Sequence, residues 1–183
     1  MPHAAFDRPS PWVARFLALV PAGGRILDVA AGGGRHTRLA RARGHAVTAV
    51  DIDVSGLADL RADPDVEILA ADLEGGPWPL GERRFAGVIV TNYLHRPLLP
   101  RLVAAVAEGG ALIYETFAEG NEAFGKPSNP NFLLKPGELL EAVRGHLTVA
   151  AYEHGKVETP RPAVIQRIAA MRPSADVPII PSS

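Results

Sequence analysis

The chain of 183 residues contains no cysteine. That absence removes disulfides, zinc–thiolate clusters and a cysteine nucleophile together, and it fits a reducing, cytoplasmic setting. Neither sign of charge is in excess, since 19 lysine and arginine residues face 20 acidic ones and leave a formal net charge of −1. Long-range attraction to phosphate backbones is therefore not built in, which disfavours a nucleic-acid partner. No apolar run approaches the roughly 18 residues of a membrane span. The opening Met1-Pro2-His3-Ala4-Ala5-Phe6-Asp7-Arg8 also lacks the basic-then-apolar order of a signal peptide. The six histidines show neither His-x-His nor His-x-x-x-His spacing, so no metal site is expected.

What is present is a globular composition, 47% hydrophobic and 21% charged, at a length suited to one domain over residues 1–183. Eighteen glycines and 17 prolines punctuate the apolar runs, which fits many short α/β elements better than a helical bundle. Ser10-Pro11 ahead of Trp12, Val13, Phe16, Leu17 and Val20 supplies an N-cap, a first-turn proline and an apolar stripe, so residues 8–23 read as a packing helix. Residues 26–29, 46–50, 66–69, 85–90 and 111–114 then read as strands, and 35–43, 54–61 and 98–107 as helices. Strand–helix alternation implies right-handed crossovers and a parallel sheet covered on both faces, here the core of residues 25–116.

Residues 117–135 lose all period. They read as a lid loop hinged at Gly120 and Gly125 and anchored by Phe117, Phe124 and Phe132. Residues 136–171 hold a last helix to about Val143 and two strands, 147–153 and 163–171, around Gly155, an antiparallel pair at the sheet edge. The proline-rich tail 172–183 reads as loose. The expected fold is α/β: a Rossmann-like, doubly wound, mostly parallel sheet of about seven strands, with an antiparallel C-terminal edge pair and helices on both faces.

Chemistry concentrates in Arg25-Ile26-Leu27-Asp28-Val29-Ala30-Ala31-Gly32-Gly33-Gly34-Arg35-His36-Thr37, a strand running through a glycine turn into a helix. A ligand approaches backbone only where side chains are missing, and a helix start offers free N–H groups. A dinucleotide fold needs a third glycine where Thr37 stands, and Asp28 would repel pyrophosphate. Asp28 suits a ligand bearing an ammonium group, while Asp51, 23 residues on, stands where a ribose-binding acid is expected. Acid, glycine turn and ribose acid together suggest a nucleoside carrying an amino acid.

On these residues the chain resembles the class I S-adenosylmethionine-dependent methyltransferases, from Pro9 to Met171. Their first motif, acid-x-Gly-x-Gly-x-Gly, appears as Asp28-Val29-Ala30-Ala31-Gly32-Gly33-Gly34, with Ala30 in place of the first glycine and one methyl group narrowing the pocket. The resemblance implies S-adenosylmethionine as cofactor. Asp28, Ala30, Gly32 and Gly34 would surround its methionine end, Asp51 bind the ribose, Ile52 lie against adenine and Asp72 accept from the adenine amino group, with Leu73 and Asn92 completing the set. The segment Thr91-Asn92-Tyr93-Leu94-His95-Arg96-Pro97 lacks the Asn/Asp-Pro-Pro-aromatic tetrad that holds a flipped base, which argues against amino methylation of nucleic acid. Within the class the likeness is to small bacterial enzymes akin to the tellurite-resistance group, implying a small-molecule or metalloid acceptor.

Three residues are candidates for catalysis. His95 reads as a general base or as a loop histidine bonded to backbone. Tyr93 shapes the acceptor pocket or packs, and Glu115 takes a proton or orients a substrate amine, or is a surface acid. Three other classes stay open: an RNA methyltransferase using Arg35, Arg38, Arg41 and Arg43, a non-catalytic S-adenosylmethionine-binding module, and a nicotinamide-dependent oxidoreductase.

Overall fold

The computed structural model describes residues 8–174; residues 1–7, and residues 175–183 of the tail read above as loose, lie outside the described residues. Successive residues of a strand point to opposite faces of a sheet. In β1 (Ile26–Val29), Ile26 enters one apolar cluster while Leu27 and Val29 enter another. The alternation recurs in β4 (Phe85–Thr91), with Ile89 opposed to Val88 and Val90, and in β5 (Val106–Phe117), with Ile113 opposed to Leu112 and Tyr114. A sheet apolar on both faces must be covered on both. Helices α1 (Pro11–Phe16) and α2 (Arg35–Ala42) contribute Trp12, Val13 and Ala40 to the Ile26 cluster. Helices α3 (Leu99–Ala104) and α4 (Glu138–Val143) contribute Leu102, Val103, Leu139 and Val143 to the other.

With β2 (Val47–Asp51), β3 (Val66–Ala70), β6 (Thr148–Val157) and β7 (Ala163–Met171), the sheet has seven strands in the order β3-β2-β1-β4-β5-β7-β6. The first five are parallel, and β7 runs antiparallel to β5 and β6. This is the doubly wound architecture expected from the sequence. Winding proceeds outward from β1 to one side and from β4 to the other, so their carboxyl ends flank the crevice where such sheets take ligands. No helix among the described residues is long and apolar enough to cross a membrane.

Four local expectations give way. Residues 54–61 form a 3-10 helix, Ser55–Ala62, because Leu57 alone is buried and no apolar stripe enforces an α-helical period. Helix α3 stops at Ala104 and β5 starts early, since Val106 already pairs with Phe85 before residues 107–110 bulge out. Gly155 lies inside β6; the reversal falls at residues 158–162, where Pro160 and Pro162 lack the N–H that a ladder requires.

The candidate lid is the fourth correction. Leu134 donates its N–H to Phe117 O at 3.0 Å, and Glu119 donates to Leu134 O at 3.0 Å. Leu133 and Leu134 are buried, whereas the expected anchors Phe124 and Phe132 are 39% and 45% exposed. Arg96 donates to Asn131 O and Leu133 O as well as to both oxygens of Glu138. The segment is docked at both ends, with residues 122–132 largely exposed between them.

Helix α4 starts at Gly137 with no side-chain cap of its own. Gln166 of β7, fully buried, supplies one: its Oε1 accepts from Leu139 N–H at 2.7 Å and its Nε2 donates to Lys135 O at 2.9 Å. Gln166→Leu strands the Leu139 N–H in the interior, while Lys135 O keeps the Glu138 N–H, and is expected to cost about 1–3 kcal/mol. Urea titration tests this through a lowered midpoint at unchanged slope.

Candidate active site

The glycine turn after β1 takes left-handed backbone at Ala30 (φ +53°), Gly32 (+53°) and Gly34 (+76°). At Gly34 a side chain is excluded by packing, since a Cβ would lie 2.4 Å from Leu57 Cδ2. At Gly32 and Gly33 it is excluded by nothing in the protein, because a Cβ there meets no atom within 4 Å. That open space belongs to a cavity of about 790 Å³ whose walls include Ala30, Gly32, Gly33, His36, Thr91 and Asn92. Arg38 braces the turn from outside, donating to Gly33 O and Gly56 O while held by Asp59 at 2.6 Å.

Asp51, at the end of β2, accepts from Gly32 N–H at 2.7 Å and Asp53 N–H at 3.0 Å. A carboxylate has about four acceptor positions, so two stay open. Beside it Ile52 holds its side chain 71% exposed, an apolar platform in solvent. Asp72 is exposed, and the Gly75 and Glu74 N–H groups that its Oδ1 accepts hold its carboxyl below the usual carboxylate range. Leu73, placed by sequence among the ligand contacts, is buried in the core instead.

Asp28 corrects a sequence reading. Its side chain points toward the α2 side of the sheet, is 2% exposed and lines no described cavity. Thr37 donates its hydroxyl to Asp28 Oδ2 at 2.6 Å, and burial, outweighing that bond, pushes the carboxyl up to about 6. The acid and the residue that replaces the third glycine thus form an internal brace between β1 and α2.

The three catalytic candidates part company. Tyr93 lines the first cavity; its hydroxyl is buried without a hydrogen-bond partner, and burial with nearby Glu74 and Asp72 pushes it up to about 12, so it stays protonated. His95 lines neither this cavity nor the one described next, and its charge is felt at Asp72, on the β3 side. Glu115 lines the second cavity, but its oxygens are taken by Ser10 Oγ at 2.8 Å and Arg167 at 3.1 Å, which leaves no idle base.

That second cavity, about 530 Å³, lies between residues 8–11, the ends of β5 and β7 and the turn 158–161, and shares Pro9, Arg35 and Asn92 with the first. Asn92 there adopts φ +54°, a conformation asparagine tolerates better than most residues. Of the segment 117–135 only Phe117 lines a cavity, the second, while Arg161 on that cavity's wall donates to Lys126 O.

Sequence reading gave His36 no role. The imidazole is 2% exposed; Nε2 accepts from Ser10 N–H at 3.0 Å, and Nδ1 lies 3.3 Å from Thr91 Oγ1. An accepting Nε2 puts the proton on Nδ1, the neutral form, and burial with help from Arg35 lowers the pKa to about 3. The available signal was Ser10: an N-cap serine whose own N–H needs a partner, at the mouth of a turn that ends in a histidine. Among the described residues no cluster fit to hold a metal ion occurs.

Two outcomes are expected. Below pH 6.5 the unfolded chain protonates His36 while the fold refuses until about 3, so this site loses roughly 1.4 kcal/mol per pH unit as pH falls. Asp28 acts oppositely: raised from 3.8 to about 6, it takes its proton first in the fold, regaining stability as pH falls from 6 to 3.8 and losing it as pH rises. His36→Asn should therefore be less stable than the parent at pH 7.5, with the gap closing by roughly 2 kcal/mol at pH 4.5 in urea titrations. In thermal melts, Ala30→Gly should stabilise by up to about 1 kcal/mol by relieving the left-handed backbone, and Ala30→Val should destabilise by about 2 kcal/mol.

The profile of the methyltransferase domain family matches residues 26–110, which carry the glycine turn and both acid-bearing strand ends. In fold the chain is similar to Burkholderia thailandensis 1,6-didemethyltoxoflavin-N1-methyltransferase, solved with 1,6-didemethyltoxoflavin and S-adenosylhomocysteine. The TM-score is 0.69 at 23% identity over 94% of this chain and 80% of that one. A TehB-like S-adenosylmethionine-dependent methyltransferase from Corynebacterium glutamicum gives 0.64 at 20% identity over 93% and 92%. TehB from Haemophilus influenzae gives 0.68 at 15% identity over 87% and 61%. No curated protein matches the sequence. Residues 26–110 thus match the methyltransferase domain family, and the whole chain shares its fold with S-adenosylmethionine-dependent methyltransferases.

Proposed function

We propose that the chain transfers a methyl group from S-adenosylmethionine to a small-molecule acceptor held in the second cavity. The observation that carries this is the meeting of the two cavities at Asn92, Arg35 and Pro9. The first cavity suits the cofactor. Gly32 and Gly33 leave a cradle that a Cβ would fill; beside the cavity, outside its lining, Asp51 keeps two acceptor positions for a ribose diol and Ile52 offers an apolar face to a purine. In this reading Asp72, beyond β3, accepts from an exocyclic amine. Asp28 acts through Thr37, fixing the turn rather than touching the ligand.

When bound, S-adenosylmethionine supplies an activated sulfonium methyl group, so that an acceptor lone pair forms the new bond as the carbon–sulfur electrons return to sulfur. The protein's part is alignment and exclusion of water. Asn92 stands where the cavities meet, and Tyr93 beside it in the first cavity, held protonated, serves as a wall or donor. Glu115 and Ser10 fix the floor of the acceptor site through Arg167. An acceptor that ionises on its own needs no protein base; among the described residues, His36 and Glu115 beside the junction are already hydrogen-bonded.

A small acceptor is favoured over RNA because two of the three arginines of α2 pair with acids of this chain, Arg38 with Asp59, and Arg41 with Asp63 and Asp65. Calorimetry tests the cofactor reading. S-adenosylhomocysteine should bind at micromolar Kd and NAD should not. Asp51→Asn, which keeps an oxygen for Gly32 N–H, should weaken binding at least about tenfold, the scale of one hydrogen bond to a charged group. Absence of S-adenosylhomocysteine binding in the folded protein would overturn the reading.

A further inference from the structure

Tyrosine carries an apolar ring and one polar atom, and a hydroxyl that enters an interior almost always finds a partner. Tyr114 follows the rule, donating to Tyr93 O at 2.8 Å. Tyr93 breaks it. Its hydroxyl is shut off from water, and no group meets it in hydrogen-bond geometry. The bond from Tyr114, with packing against the core between the sheet and helices α3 and α4, holds the residue in place while its polar atom stays unmatched.

Tyr93 follows the left-handed Asn92 just past the end of β4 and lines the first cavity. The charges of Glu74, Asp72 and Asp51 are all felt at its hydroxyl, so the side chain leans from β4 toward the ends of β2 and β3. Those strand ends are the ones that the cofactor reading gives to the ribose and the purine. Burial and the neighbouring acids push the phenol up to about 12, so it keeps its proton and has a donor to offer. Glu74 is near enough to act on it, yet is exposed and outside hydrogen-bond geometry. The donor is unused.

We propose that Tyr93 is a specificity-determining residue for the cofactor's base: its hydroxyl donates to a ring nitrogen of the purine, beside the exocyclic amine that Asp72 accepts. The inference rests on the cofactor reading and deepens it by naming the two groups that read the base. A carboxylate acceptor and a phenol donor side by side match a base that presents an amine next to a bare ring nitrogen. They mismatch one that presents a carbonyl next to a ring N–H. Until a base is bound, the hydroxyl has lost its hydration and gained nothing. The same atom therefore weakens the free fold and strengthens the complex.

The test compares the full chain with Tyr93→Phe. Probes are S-adenosylhomocysteine, its 1-deaza, 3-deaza and 7-deaza analogues, each with one ring nitrogen replaced by C–H, and S-inosylhomocysteine, which carries a carbonyl in place of the amine. Calorimetry reads affinity, and thermal melting reads the protein without ligand. Ligand-free Tyr93→Phe should melt at least about 2 °C above the parent, because it buries no unmatched hydroxyl, and should bind S-adenosylhomocysteine roughly tenfold more weakly. One deaza analogue should lose a similar factor on the parent, and Tyr93→Phe should bind that analogue and S-adenosylhomocysteine within twofold of each other. S-inosylhomocysteine should bind the parent at least about tenfold more weakly than S-adenosylhomocysteine. A lower melting temperature with unchanged affinity would make the hydroxyl a structural partner of Glu74 and overturn the inference. So would deaza analogues that all lose the same factor on Tyr93→Phe as on the parent. Either result leaves the cofactor reading standing, whereas failure of the parent to bind S-adenosylhomocysteine would overturn that reading first.

Discussion

A backbone N–H that enters an interior must find an acceptor or forfeit its hydration. Ser10 N–H finds Nε2 of His36, and much of the site hangs on that bond. It ties the start of α1 to the start of α2, passes through Nδ1 to Thr91 at the end of β4, and leaves Ser10 Oγ to cap α1 and donate to Glu115. From Glu115 the chain of contacts runs to Arg167, which lies over Trp12 and grips Glu153 on β6. Side chains from α2, β4, β5, β7 and β6 are thereby held in one row across the carboxyl ends of the strands, and the wall between the two cavities stands on it. The imidazole can play this part only while neutral, and burial keeps it so.

A second brace lies one turn away. Asp28 and Thr37 clamp β1 to α2 below the glycine turn, while Arg38 ties Gly33 O to Gly56 O above it. The turn is fixed from both sides, yet its ligand-facing surface at Gly32 and Gly33 stays bare. Such an arrangement is pre-organised: the entropy of shaping the site is lost at folding, not at binding. The left-handed backbone of Ala30 and Asn92 stores the residual strain at two places on the lining of the first cavity.

The fold was legible because its signals are local. Short β-rich runs, a glycine turn and a strand-end acid follow one another in an order that only a doubly wound sheet accommodates, and the seven strands lie where those runs fall. Expectations failed where a long-range partner decides. Nothing near residue 133 announces that Leu133 and Leu134, rather than Phe124 and Phe132, will find the core, because the partners are Phe117 and Arg96. Among the site candidates, Asp51, Gly32 and Asn92 could be proposed from position after a strand or in a turn. The roles of Asp28, Glu115 and His36 were not, because burial and pairing with Thr37, Arg167 and Ser10 are properties of the assembled sheet.

Strand β6 forms one outer margin of the sheet, and most of its residues are exposed. Such a margin offers unpaired peptide groups to any neighbouring chain, the usual starting point for strand-by-strand polymerisation. Here the ladder with β7 slips between Val149 and Ala151, and Glu153 and Lys156 place opposite charges along the same stretch. A foreign strand that began to pair would meet a kinked template and charged side chains before it gained a regular register. The irregularity that spoils the geometry of β6 therefore also guards the protein's colloidal behaviour when it is crowded.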